Sequence, residues 1–118
     1  MAKSNVSLNV RKIDNNIQAI DIAGEINSFA ENALMDAYSS ISASGARVIL
    51  LNFSKLEYMN SSGIGLLVTM LIRASRQKQR IMAYGLNDHY RQIFELTRLN
   101  EAIIIFPNEG TAIEAAKK

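Results

Sequence analysis

The chain of 118 residues has no cysteine, no tryptophan, a single proline (Pro107) and a single histidine (His89). Without cysteine, disulfides, thiolate metal sites and cysteine nucleophiles are all excluded. His89 stands without acidic residues at the spacing of a metal loop, so no metal or cofactor is expected. Charge of one sign is also lacking. Thirteen Lys and Arg against 11 Asp and Glu leave a formal +2, too little for the electrostatic footprint of a nucleic-acid binder. The longest apolar run, Ile64 to Ile72, includes Gly65 and Thr69 and falls far short of the roughly twenty residues a membrane-crossing helix needs. The start, Met-Ala-Lys-Ser-Asn-Val, lacks the apolar centre of a signal peptide. The expectations are no membrane insertion, no direct nucleic-acid contact and a cytoplasmic location.

What is present is the balance of a packed domain, 48% hydrophobic with 20% charged, and the length suits one domain spanning residues 1–118. Val6, Leu8 and Val10 alternate with polar neighbours, the period of a half-buried strand. After the turn at Asp14-Asn15-Asn16, an apolar run from Ile17 to Ala23 reads as a second strand, antiparallel to the first and ended by Gly24. Ser28 and Glu31 have capping-box spacing. The helix they open carries Ala30, Ala33, Leu34, Ala37, Tyr38 and Ile41 as one stripe and ends near Ser44-Gly45.

Val48 to Leu51 reads as a short strand covered on both faces. A polar loop from Asn52 to Asn60 follows, then a helix to about Gln77 with Ser61 or Ser62 as its N-cap. Strand 80–84, helix 88–97, strand 102–106 and a last helix from Glu109, capped by Asn108, complete the chain. The order predicts an α/β fold: a mixed sheet of about five strands with an antiparallel first pair, right-handed parallel crossovers and four helices. Sites in such sheets lie in loops leaving the carboxyl ends of parallel strands, which is where the loop ending at Ser61 falls.

Several chemistries can be weighed at that loop. Serine hydrolysis needs a base and a Gly-x-Ser-x-Gly elbow, and Met59 occupies the first glycine position. Gly63-Ile64-Gly65 resembles part of a dinucleotide fingerprint, but Val68 stands at its third position and no P-loop lysine follows. Close helix-to-sheet packing at Gly63 and Gly65 explains those glycines better. Arg73, Arg76, Lys78 and Arg80 gather where cations favour a helix's negative end. In the same helix Ile64, Leu67, Val68 and Leu71 form one stripe, while Leu66 and Met70 project from nearly the opposite side. That second set meets either a neighbouring helix or a partner.

Tyr58-Met59-Asn60-Ser61-Ser62-Gly63-Ile64-Gly65, together with Gly24-Glu25-Ile26-Asn27 and Val48–Leu51 leading into Asn52-Phe53-Ser54, resembles the anti-sigma factor antagonists, the bacterial STAS-domain family. The likeness covers nearly the whole chain. It implies that Ser61 is the serine phosphorylated by a partner kinase that doubles as an anti-sigma factor, with Ser62 as the cap. It also implies that the unphosphorylated form binds the kinase and frees a sigma factor, and that a PP2C-type phosphatase restores it. Asn60 and Asn27 depart from the pattern, standing where members commonly carry Asp.

A phosphate on Ser61 would add about −1.5 to −2 charge beside the free amides of a helix start. Those amides favour an anion by about 0.3–1 kcal/mol, so the fold should persist and the switch should act through an interface. Met59, Asn60, Ser62, Gly63 and Ile64, with Glu25 and Asn27 at the end of the second strand, are the expected docking surface. Burying the added charge there would cost several kcal/mol unless a cation met it. The reading is a non-enzymatic binding switch. Its rivals are a STAS accessory subunit regulating a transporter ATPase without phosphorylation, and a small nucleotide-binding or hydrolytic domain.

Overall fold

A computed structural model describes residues 5–118. Five strands, β1 (Ser7–Lys12), β2 (Ile17–Ile26), β3 (Val48–Met59), β4 (Arg80–Tyr84) and β5 (Ile104–Phe106), form one sheet in sequence order. β1 is antiparallel to β2 and the remaining neighbours are parallel. The helices are α1 (Glu31–Ala43), α2 (Ser61–Arg76), α3 (Asp88–Leu96) and α4 (Glu109–Ala116). The predicted mixed five-stranded sheet, its antiparallel first pair and the four helices are therefore observed.

Alternation along the central strands divides the core. Ile49 and Leu51 face a cluster built with α1, α2 and α3, whereas Val48 and Leu50 face Ala112 and Ala116 of α4. All four are essentially inaccessible, which explains why this stretch is continuously apolar. Phe53 packs edge-to-face on Phe94 of α3, with ring centroids 6.3 Å apart, in the geometry the ring quadrupoles prefer.

Two predicted boundaries were too short. Gly24 does not end β2, which continues to Ile26, and the supposed polar loop from Asn52 is the second half of β3. The two strands stay paired as far as Ile26 with Met59, across irregularities between Asp21 and Ala23 and between Gly24 and Glu25. Gly24 permits the passage because it adopts φ +89°, and a Cβ there would lie 2.1 Å from the Asn5 carbonyl oxygen. In β1, Val10 lies on the surface while Arg11 is half-buried. Near the end of the chain, Leu99–Glu101 forms a 3-10 turn and β5 begins only at Ile104.

The caps also differ from expectation. Asn27, not Ser28, opens the first helical segment: its side chain accepts the Phe29 N–H and a 3-10 turn at Ser28–Ala30 leads into α1. On α1 the buried stripe is Leu34, Ala37, Tyr38 and Ile41, with Ala33 exposed. On α2, Leu66 and Met70 are buried in the core cluster that also holds those α1 residues, which leaves neither on the surface for a partner, while Val68 faces outward. A helix lodged between a sheet and another helix needs a broader apolar face than one lying on a sheet alone.

Candidate functional site

The candidate site is the junction of β3 and α2. Asn60 is extended (φ −90°, ψ −178°), and its Oδ1 accepts the Gly63 N–H at 2.9 Å. Asn60, rather than either serine, is therefore the N-cap, which corrects the capping role expected of Ser61 or Ser62. The hydrogen-bonding reason is direct: an amide oxygen reaches the third amide of the helix as a serine oxygen would. Ser61 and Ser62 become the first two helical residues, and both are exposed. Their backbone N–H groups belong to the set that a helix start leaves without carbonyl partners.

Three further contacts hold this junction. The Asn60 N–H donates to the Ile26 carbonyl at 3.2 Å, and the Ile64 N–H donates to the Asn60 carbonyl at 3.0 Å. The Met59 N–H donates to Tyr90 Oη at 2.8 Å, in a buried setting. Gly63 sits against β2 so tightly that a Cβ would lie 2.4 Å from the Ile26 carbonyl oxygen. Gly65 has open space around it, so close packing accounts for only one of the two glycines.

The expected docking residues divide into two groups. Glu25, Asn27 and Asn60 are half-buried at the surface, with Glu25 opposite Tyr58 and Ile26 opposite Met59, so the β2 end does flank the Ser61 turn. Ile64 is half-buried and packs against the main core cluster. Met59, at 3% exposure, and buried Gly63 belong to the interior and support the turn from beneath. Two exposed aromatics were missed: Phe29 (57%) in the 3-10 turn beside α2, and Tyr58 (53%) next to Glu25 in the strand pair. Phe53 and Met59 share the buried face of this half of β3, and Tyr58 falls on the opposite face, a pattern obscured by the polar residues Ser54, Lys55 and Glu57 between them.

A second polar cluster occupies the α4 face of the sheet. Arg11 donates from Nε to Asp21 Oδ2 at 2.6 Å and from Nη2 to Asp21 Oδ1 at 2.9 Å and to Glu109 Oε1 at 2.7 Å. Asn52 Nδ2 adds a hydrogen bond to Asp21 at 2.9 Å. Partial burial alone would raise the Asp21 pKa, but the Arg11 and Asn52 hydrogen bonds with the Arg11 charge outweigh it and hold the carboxyl below its usual range. Burial, then the Glu109 charge, raises the Tyr84 phenol. This cluster ties β1, β2 and β3 to the start of α4, on the opposite side of the sheet from α2. Among the described residues no group of three or more His, Cys, Asp or Glu could hold a metal, and no helix is long and apolar enough to cross a membrane.

A five-stranded mixed sheet with one antiparallel edge, and an exposed serine pair opening the helix after its longest strand, define a small α/β domain. Residues 10–106 match the family model described as Mlab, STAS domain, and the chain belongs to the STAS domain family. The chain is 26% identical over 106 residues to the anti-sigma-B factor antagonist of Listeria monocytogenes, covering 90% of this chain and 93% of that protein. An anti-sigma factor antagonist from Mycobacterium paratuberculosis superimposes with a TM-score of 0.84 at 19% identity, covering 99% of this chain and 98% of the other. The phosphorylated form of the Bacillus cell fate determinant SpoIIAA gives 0.74 at 21% identity, covering 93% and 99%.

Proposed function

We propose that the chain is a cytoplasmic anti-sigma factor antagonist, a binding module gated by phosphorylation of Ser61. Unmodified, it binds an anti-sigma factor serine kinase; phosphorylated, it releases the kinase, and a PP2C-type phosphatase restores binding. The observation that carries this reading is the exposure of Ser61 as the first residue of α2, capped by Asn60 and flanked by the β2 end. The relatives named as antagonists and the phosphorylated SpoIIAA support it.

Physical chemistry favours separate effects on fold and binding. The turn is held by backbone hydrogen bonds and the Asn60 cap, none of which uses the Ser61 hydroxyl. A phosphate on that hydroxyl projects into water and meets the favourable end of a helix dipole, worth about 0.3–1 kcal/mol. A partner seated on Asn27, Asn60, Ser62 and Ile64 would have to desolvate the same charge, at a cost of several kcal/mol. Each 1.4 kcal/mol, approximately, is a tenfold loss of affinity.

The test is recovery of the chain with its partners from native cells, followed by intact mass and peptide mapping. One phosphate confined to Ser61 and a co-purified serine kinase are expected. With that kinase, Ser61→Asp should lower affinity at least tenfold while its melting temperature stays near that of Ser61→Ala. Recovery of a transporter ATPase with unmodified Ser61, or equal losses of affinity and stability in Ser61→Asp, would replace this reading.

A further inference from the structure

β3 runs past the sheet that supports it. Its last pairing with β4 is Asn52 with Tyr84, yet the strand continues to Met59 with β2 on one edge only. From Phe53 onward the edge that faced β4 has no strand beside it among the described residues. A backbone N–H on such an edge must find water, a side chain or another element. Met59 is 3% exposed, which removes water as the solution, and Tyr90 of α3, also 3% exposed, supplies the acceptor: its Oη lies 2.8 Å from the Met59 nitrogen. One phenol thus stands in for a missing strand.

The place of this hydrogen bond matters more than its presence. Met59 immediately precedes the N-cap Asn60, and Asn60 precedes Ser61. The turn is fixed from three directions: by β2 through the Ile26 carbonyl and Asn60 N–H, by α2 through Asn60 Oδ1 and Gly63 N–H, and by α3 through Tyr90. The first two are local to the strand pair and the helix start. The third comes from a separate element, itself anchored by Asn87 Oδ1, which accepts the Tyr90 N–H at 2.9 Å, and by Phe94 against Phe53.

We infer that Tyr90 is a positioning residue for Ser61: its hydroxyl sets the path of the backbone at Met59 and Asn60, and through them the direction in which the Ser61 hydroxyl is presented to a kinase. This rests on the reading of Ser61 as the phosphate acceptor. Removing the acceptor strands a buried donor, and the backbone can relieve this only by rotating Met59–Asn60 toward another acceptor. That rotation displaces the cap and the residue after it.

Tyr38 provides the matched control. It too is a buried tyrosine whose hydroxyl makes one hydrogen bond, to Gln79 Oε1 at 2.8 Å, but that bond joins α1 to the residue before β4 and involves no group of the turn. Tyr90→Phe and Tyr38→Phe should lose comparable stability in urea. Only Tyr90→Phe should raise amide exchange at Met59 and Gly63 tenfold or more, shift the Ser61 and Ser62 amide resonances, and lower kcat for phosphorylation by the co-purified kinase about tenfold with KM little changed. Two variants alike in exchange at Met59 and Gly63 and in kcat would overturn the inference. If wild-type Ser61 takes no phosphate, the Proposed function fails, and the exchange comparison still decides whether Tyr90 positions the turn.

Discussion

Alanine at Gly63 and at Gly65 should have opposite effects on stability, although the substitution is the same and the positions are two residues apart in one helix. In a helix interior alanine is favoured over glycine by about 0.8–1.0 kcal/mol. At Gly65 nothing lies within 4 Å of the added Cβ, so the full gain should appear. At Gly63 the Cβ would lie 2.4 Å from the Ile26 carbonyl oxygen and 2.8 Å from Met59 Cγ. The methionine can move. The carbonyl cannot turn away without releasing the Asn60 N–H that it accepts at 3.2 Å. Overpacking of this kind costs about 1–3 kcal/mol, and disturbance of the hydrogen bond adds to it, so the net change should be a loss of about 1–2 kcal/mol. Urea unfolding of the two variants checks this, with unchanged m-values showing that the unfolded reference is shared. A Gly63→Ala protein as stable as Gly65→Ala would refute the idea that α2 is seated directly on the β2 backbone.

Arg98 and Asp21 test other parts of the fold. Arg98 adopts φ 62°, ψ 17° after α3, a left-handed conformation that costs an L-residue roughly 1–2 kcal/mol. Arg98→Gly should therefore raise stability in urea by about 0.5–1 kcal/mol, part of the relief being offset by glycine's freedom in the unfolded chain. Because the Asp21 pKa is lower folded than unfolded, its contribution is present above the ordinary carboxyl value of about 4 and is lost as pH falls through the folded value. Asp21→Asn should be less stable at neutral pH and show a flatter stability profile below about pH 4; a slope matching wild type would refute the assigned role of the Arg11 pair.

Periodicity and composition made the element order and both core faces legible, because Val48–Leu51 is apolar throughout and Leu34, Ala37, Tyr38 and Ile41 keep helical spacing in α1. The outer half of β3 was not, since only β2 and α3 flank it and its polar residues look like a loop. Whether Asn52–Met59 is extended depends on β2 passing Gly24, a long-range fact absent from either local pattern. The caps failed for a different reason. Ser, Asn and Asp are nearly equivalent N-cap residues, so a run such as Asn60-Ser61-Ser62 leaves the register of the first turn open by one or two positions. Tyr90 could not be assigned at all: its role comes from the end of a strand pairing, which amphipathic spacing in α3 does not encode.

That one-position shift of the cap has an electrostatic consequence. Asn27, Asn60, Asn87 and Asn108 all use Oδ1 to accept an amide at a helical start, each at 2.9 Å. At Asn87 and Asn108 the choice of amide over carboxylate concerns only stability, where an acid would gain about 0.3–1 kcal/mol from the dipole. At Asn60 the neighbour is Ser61. At a separation of about 6 Å in water, a carboxylate there and a phosphate of about −1.5 to −2 charge would repel by about 1–1.4 kcal/mol. On the proposed reading, the neutral cap forgoes a small gain in the unmodified protein and avoids a larger penalty in the modified one. It therefore favours the phosphorylated state by up to about tenfold relative to an aspartate at the same position. On that reading the same hydrogen bond would hold the helix start in both states, so that the charge on Ser61 would change what binds without changing what folds.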